Sequence, residues 1–576
     1  MKTFLIRAAL TALTLIALAI HAPSEALPSA TLPDGAVWGL ALAALWMLYG
    51  TFLQKPVRAM RLWGLAAVFA GVMTLGQSFA SVGTSEWIGA NKLDALLFWA
   101  GRVPLYAAGM GLLTDRLCKP RTEKELRFTP WQSGGLLLLC WLPWYICLFP
   151  GTVSTDSVSQ LKIVLGLSPM SNAHPICQTG ILGLFRWLGL TLGGGPDLAV
   201  ALYCMVQAVL MAWLLGSVVY EMEKSRAPRG LVLGCFAFYA FCPIFPVFAF
   251  CVGKDTNFAM AVLFLSLETW RVSHLPQGRR IRPVRLIAMG VASVFCVILR
   301  NPGIYLVILT LVFLLIHSLR RGTWQAPLCG LVCASVVFGT LHLAVIPSMN
   351  IAPMPESEEY SIPLQHIARV AVSASFTAEQ EAALDQVIEI EKLREEYNPE
   401  LSDPVKNLWR ADASKEAKAA FWPAWLSVMK DHPSTCVSAT FHNVYGYLYP
   451  GYVSIIKPTL IIGNHSTRTA SVAGHFDYTV NPLSAKLKAF TEGLNQNALY
   501  RILVSPGLYG WITLLAAVWL TKNKKELLSA VPALFTLAGC LLSAVNGYFR
   551  YAMPLYLCAP FLLWLVSQAA QEPKKT

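Results

Sequence analysis

Asp156 stands in the stretch "PGTVSTDSVSQ" (150–160), directly after the apolar run "GGLLLLCWLPWYICLF" (134–149). A carboxylate placed there among small hydroxyl residues can act as a general base on a hydroxyl group. It can equally cap the helix that follows. Ser157 and Gln160 themselves fit an S-x-x-Q capping box, which predicts a helix starting there and an Asp156 carboxylate left free. Other polar groups also stand at the ends of apolar runs: His174 before Pro175, Lys254 and Asp255 in "CVGKDTNF", Arg300 and Asn301 in "ILRNPG", and Arg550 in "NGYFRYAMP". Ionisable side chains at membrane depth are costly to desolvate and point to function by default. Lys254, Arg300 and Arg550 facing one cavity would suit an anionic substrate such as a phosphate or pyrophosphate lipid headgroup. Plainer roles stand beside this one. His-Pro is a common start of a helix, Asp255 can complement a positive helix end, and Lys254 can snorkel. Arg300 and Arg550 can satisfy a loop carboxylate, or carbonyls freed near Pro302 and Pro554.

The elements that must position these residues are membrane spans. Of 576 residues, 55% are hydrophobic and 13% charged, against about 25% charged in a soluble globular protein. Mean hydropathy is +0.53. Apolar runs long enough to span hydrocarbon begin near residues 4, 35, 62, 94, 134, 197, 230, 255, 286, 303, 326, 500, 526 and 553. Basic clusters lie at 54–61, 116–127, 221–229, 279–285, 318–322, 521–526 and in the tail "EPKKT". Fourteen spans with both termini in the cytoplasm put every one of these clusters on the cytoplasmic side. The first thirty residues mimic a cleaved signal peptide, but the parity argument favours an uncleaved first span. The segment 176–193, with Arg186 at its middle, breaks parity if counted as a span and is read as an interfacial helix on the outer face. The predicted class is therefore an all-α polytopic membrane protein of about fourteen transmembrane helices. Its outer loop 151–197 holds surface helices at 157–166 and 176–190.

The chain divides into a four-span region (1–130), a transmembrane core (131–346), a mostly helical extracytoplasmic domain (347–498) and a three-span region (499–576). In the polar domain, helices are expected at 377–397 and 414–433. The stretch "SIPLQHIARVAV" (361–372) offers Gln365, His366 and Arg369 as ligands for an acceptor or a sugar. "FHNVYGYLYPGY" (441–452) offers Tyr449 among four tyrosines, as a sugar-stacking platform or as an interfacial aromatic belt, the belt being preferred. There is no CxxC pair, no His/Cys cluster with zinc spacing and no Gly-rich phosphate loop after a strand. Nucleic acid is not expected as a partner.

An acid after a span, a surface helix and then "HPICQTGILGLFRWLGLTLGGGPDLAVALY" is similar in layout to the C superfamily of integral-membrane glycosyltransferases. These enzymes use polyprenyl-phosphate-linked sugars. The stretches "PGTVSTDSVSQ", "HP", "GKDTNFA", "LRNPGIY", "IPLQHIAR", "YLYPGY" and "RYAMPLY" resemble those of a family of uncharacterised bacterial polytopic proteins. The superfamily resemblance implies Asp156 as the catalytic base. His174, Lys254, Asp255, Arg300, Gln365, His366, Arg369, Tyr449 and Arg550 would then be substrate-binding residues. It further implies an inverting transfer to an envelope glycan, lipid or protein on the outer face of the bacterial plasma membrane. Many members carry a paired acid, whereas Ser157 follows Asp156, so a divalent metal is left open and no cofactor is firmly implied. A transporter or flippase of an anionic lipid or polysaccharide is the alternative, with discontinuous helices and internal symmetry expected of it. A non-catalytic envelope assembly protein is a third.

Overall fold

A computed structural model describes residues 1–20, 35–54, 60–117, 128–452, 469–479 and 481–571. Most of the basic clusters at 54–61 and 116–127, and the tail 572–576, lie outside the described residues. Each of the fourteen apolar runs is a helix. The twelfth begins at Pro506, because a short helix Ala498–Leu503, capped by Asn497, occupies the expected start. Seven of the described helices are long and apolar enough to cross a membrane, and five shorter apolar helices accompany them. Together they mark a multi-pass membrane protein. Lys254–Ser273 and Lys524–Leu541 fall in neither group, each being less apolar through the charged residues it carries.

The site is built from a few elements: strand β1 (Thr152–Val153), helices α1 (Thr155–Val164) and α2 (Ile176–Thr191), strand β2 (Cys251–Val252), and helices α3 (Lys254–Ser273), α4 (Pro283–Leu299), α5 (Gln325–Gly339) and α6 (Phe549–Gln571). A π-helical turn, Thr340–Val345, continues α5. Helices Gly195–Lys224, α3 and α6 form the centre, with Met211, Leu263, Tyr556 and Trp564 fully buried between them. At the far end of α3, about 30 Å from its start, Arg271 pairs with Glu221 and Glu268, Arg285 also pairs with Glu268, and His274 meets Glu526. Arg321 donates to the Leu275 carbonyl there, and Arg61 to Thr521. Five of the basic loops singled out in the sequence thus meet at the end of the bundle opposite Asp156.

β1 and β2 pair in parallel, Thr152 with Cys251 and Val153 with Val252. Ser154 N donates to the Val252 carbonyl (3.1 Å), so the chain stays extended through Ser154 and α1 starts at Thr155. The cap is therefore Ser154, whose hydroxyl accepts from Ser157 N, and the expected Ser157–Gln160 box does not form. Ser157 Oγ donates to Val252 O instead, and Gln160 reaches across to Thr179 on α2. The strand needs Gly151: its φ is +145°, and a Cβ there would lie 2.4 Å from Cys204 Sγ.

Residues 361–442 have their own apolar cluster, with Leu364, Ile367, Leu393, Phe421 and Val428 fully buried. The helix expected over 377–397 is two short ones, Ala378–Leu384 and Ile390–Glu396. Between them Asp385 accepts from Ile390 N, and Ile388 bridges to Trp409. Tyr445, Tyr449 and Tyr452 are buried against Phe79, not displayed as a belt or a platform. Burial pushes the imidazoles of His366 and His442 down to about 4, with Arg369 adding to the effect at His442. At His366, Trp425 Nε1–H donates to Nδ1 and Nε2–H donates to Thr440, a pattern that only the neutral ring makes.

Two outcomes follow. Both folded-state values lie below the ordinary 6.5, so the unfolded chain takes up protons first; the stability is complete above that value and is lost as pH falls toward 4. Between pH 7 and 5 this costs about 2 kcal/mol per histidine. Tryptophan-monitored unfolding of the purified protein measures it, and His366→Gln halves the dependence; a flat profile would show the rings to be exposed or already charged. At the strand, Gly151→Ala destabilises by about 1–3 kcal/mol. Gly135→Ala, inside a helix where a Cβ meets nothing within 4 Å, is the control in the same melting assay and is expected to be unchanged or slightly stabilised.

Candidate functional site

The pairing of β1 with β2 ends at Ser154, but the residues that follow start two helices in matching positions. Val153-Ser154-Thr155-Asp156-Ser157 runs alongside Val252-Gly253-Lys254-Asp255-Thr256, so Asp156 and Asp255 occupy equivalent second positions of α1 and α3. Gln207, on helix Gly195–Lys224, secures the turn into β2 by donating to the carbonyls of Phe248, Ala249 and Cys251. Tyr203, one turn earlier, receives Gln178 and Asn257 on its hydroxyl. Arg550 enters from the first turn of α6. Three helix N-termini, each with its positive dipole end, converge on one spot.

Four charges interlock there. Lys254 Nζ lies 3.0 Å from Asp156 Oδ2, and Arg550 lies 3.3 Å from Asp156 Oδ1 and 3.6 Å from Asp255 Oδ2. Asp156 is the most accessible of the four side chains, 22% exposed against 8–14% for the others, so a reactant meets it first. Burial by itself would raise the Asp156 pKa. The cations of Lys254 and Arg550 outweigh it and hold the carboxyl well below the usual range. His174 Nδ1 is 2.9 Å from Lys254 Nζ, and burial together with that ammonium lowers the imidazole pKa. A neutral His174 accepts from Lys254 at Nδ1 and carries its proton on Nε2.

Arg300 completes the group differently. Its guanidinium lies 4.7 Å from the Tyr551 ring, beside Arg550, and 5.5 Å from the Phe258 ring, one turn along α3 from Lys254. Among the described residues it has no carboxylate partner. Two acids and three cations leave the cluster with a net charge of +1 when His174 is neutral. Among the described residues, Asp255 Oδ1 and Arg550 Nε are buried without a hydrogen-bond partner. No three His, Cys, Asp or Glu side chains cluster as a metal site would require, again among the described residues.

The structure thus gathers Asp156, Lys254, Asp255 and Arg550 from three helix starts, with His174 from the loop before α2 and Arg300 from the end of α4. Asn301 lies beside them, donating to Asn172 O (3.3 Å). The hydrogen bonds of the remaining candidates go elsewhere. Gln365 donates to the carbonyls of Asn398 and Leu401, Arg369 to Gly83 O, and Tyr449 to Gln77. With His366 held by Thr440 and Trp425, these four lie outside the charged cluster. What sequence reasoning missed is the support: Ser154, Tyr203, Gln207 and Asn257. Tyr203 and Gln207, four apart on an otherwise apolar helix, were the visible signal, as was the echo of "VSTDS" in "VGKDT".

The loop that carries Arg550 is fastened to the polar region. Leu401 bridges to Val545, Asn546 N donates to Glu400 O, and Tyr548 N donates to the Tyr447 hydroxyl. Asn546 Oδ1 in turn accepts from Gly446 N (2.7 Å).

No curated protein and no solved structure matches the chain. A protein-family comparison does, and it covers residues 166–576. His174, Lys254, Asp255, Arg300 and Arg550 fall within that span, while "PGTVSTDSVSQ" and Asp156 precede it. The chain belongs to the family of unknown function DUF6020.

Proposed function

We propose that this protein is a membrane glycosyltransferase that moves a sugar from a polyprenyl-phosphate donor to a hydroxyl of an envelope acceptor. The reading includes fourteen spans, cytoplasmic termini and a site on the outer face of a bacterial plasma membrane. The observation that supports it most is the partly exposed carboxylate of Asp156, set between Lys254 and Arg550, with Arg300, which has no carboxylate partner among the described residues, against Tyr551 beside Arg550. A lipid phosphate is an anion of matching kind, and guanidinium groups bind it with directed hydrogen bonds.

In the resting site Asp156 is a weak base, because both of its oxygens face cations. An arriving phosphate competes for Lys254 and Arg550, so the carboxylate becomes more basic as the donor binds. It then accepts the proton of the acceptor hydroxyl while that oxygen attacks the anomeric carbon. The bond from that carbon to the phosphate oxygen breaks, and the lipid phosphate leaves with the electron pair, held by Lys254, Arg300 and Arg550. One displacement inverts the anomeric centre.

Asp156→Asn is expected to lower transfer by roughly two to four orders of magnitude, the range of a lost general base, while donor lipid still binds. Purified protein with lipid-linked sugars, read by mass spectrometry of the product, measures it; full turnover by Asn would sink the assignment. Arg300→Gln is expected to weaken lipid-phosphate binding about tenfold, in line with one charge-assisted hydrogen bond. Among the described residues Arg300 has no carboxylate partner to strand, so the fold loses only its contacts with the Tyr551 and Phe258 rings. An unchanged Kd, measured by titration in nanodiscs, would remove Arg300 from the site.

A further inference from the structure

His174 stands on the short connection between α1 and α2, and that connection is pinned on both sides. Asn172 N donates to Ala352 O and Asn172 O accepts from Asn301, while Pro175 O accepts from Gln178 N in the first turn of α2. Between these anchors the ring meets Lys254: its Nδ1 lies 2.9 Å from Nζ, and the same ammonium reaches Asp156 Oδ2 at 3.0 Å. An ammonium has donors only, so it can hold Nδ1 only while that nitrogen carries no proton. The Lys254 hydrogen bond thus occupies the atom at which the ring would be protonated.

Lys254 is a different kind of cation from Arg550. It is a compact charge on a flexible stem, whereas the Arg550 guanidinium is shared between two carboxylates at 3.3 and 3.6 Å. An anion entering the cluster draws Lys254 more readily than Arg550. Once the ammonium turns to the anion, Nδ1 is released, and the new negative charge beside it favours an imidazolium. The charges that act on the ring are Lys254 and Asp255 of α3, Asp156 of α1 and Arg550 of α6. His342, just past the end of α5, lines a small cavity with Asn172 and Pro175 and is a further titratable group beside this connection.

We propose that the site binds a phosphate-type anion together with one proton, which His174 takes from water at Nδ1. The ring then donates to the anion beside Lys254. The inference rests on the anionic donor proposed above and adds a condition on its binding. In the resting site, burial and then the Lys254 ammonium hold the imidazole below its ordinary 6.5. With the anion bound, the ring holds its proton more tightly. Affinity for the anion therefore rises as pH falls through the window between the two values and is flat above it. Asp156 would take a proton only near the ordinary carboxylate range, about 4, below this window.

The test is binding, not transfer. The probe is geranyl methyl phosphate, a diester with one fixed charge, because a monoester adds its own second ionisation at about pH 6. Full-length protein in nanodiscs is titrated calorimetrically at about pH 8 and about pH 6, in buffers of different ionisation enthalpy, which counts the protons taken up. Wild type is expected to take up about half a proton or more per anion at the lower pH and to bind about tenfold tighter there. His174→Gln, which keeps an acceptor for Lys254, is expected to take up none and to show the same Kd at both pH values. A merely structural role for the ring would shift its Kd by one factor at both and leave the uptake in place. His342→Gln retains the uptake. A flat wild-type Kd without uptake, uptake that survives in His174→Gln, or uptake lost in His342→Gln overturns the inference. Lys254→Gln is expected to weaken the diester at both pH values; wild-type affinity in that variant sinks the anionic-donor reading and this inference with it. If proton uptake accompanies binding and no sugar is ever transferred, the proton-coupled site stands and the glycosyltransferase reading falls.

Discussion

The parallel pairing of β1 with β2 is the contact on which the site depends. It is only two residues long on each strand, too short to be stable by itself in water. It persists because both strands are buried in the bundle, where an unpaired backbone amide or carbonyl is costly. Gln207 takes up three carbonyls around the turn into β2, and Ser157 Oγ takes Val252 O. The register then does the chemical placing. With Val153 opposite Val252, the next residues of both segments begin helices side by side, and Asp156 necessarily comes to lie near Lys254 and Asp255.

Burying four charges together looks unfavourable until they are paired off. An isolated ion at such a depth is costly, but each carboxylate here faces a cation and each cation faces a carboxylate. The first turns of α1 and α3 favour the aspartates through the helix dipole. Arg550 is shared between Asp156 and Asp255 at 3.3 and 3.6 Å. Sharing leaves neither partnership saturated, and an incoming anion can replace Asp156 at Arg550 while Asp255 keeps the guanidinium in place. A cluster held by several medium-range pairs suits exchange better than one tight bidentate pair would.

The helices were legible because their signal is compositional: all fourteen apolar runs are helical, and α2 spans 176–191 against an expected 176–190. Loop chemistry was harder to read. The capping-box reading put the start of α1 two residues late, because a tertiary contact, the strand with 250–252, sets where the helix begins. The long helix drawn over 377–397 broke at Asp385 for the same kind of reason, a side chain satisfying a backbone amide across a turn. Lone charges at the ends of apolar runs were the better guide to which side chains come together. Lys254 and Arg550 pair with Asp156, since an unpaired charge there has few ways to be satisfied other than finding the others, while Arg300 packs against Tyr551 and Phe258. Gln365, His366, Arg369 and Tyr449 stand out on residue type alone, and that criterion cannot tell a ligand from a side chain whose hydrogen bonds go to its own scaffold.

The aromatic stretch 441–452 shows how such residues matter to the site without touching it. Tyr447 lies fully buried, donates to Val545 O, and accepts from Tyr548 N, two residues before Arg550. Asn546 is held between Gly446 N and the backbone of Glu400, and Tyr452 donates to the Glu400 carboxylate. Every one of these contacts fixes the short connection Leu542–Tyr548 that leads into α6. Without that fixing, the first turn of α6 would be free to slide, and Arg550 would have no reason to stand at equal reach of two aspartates. The tyrosines are thus neither a sugar platform nor a membrane belt. They are the mould in which the Arg550 loop is cast, and through them the polar region and the charged cluster form one mechanical unit.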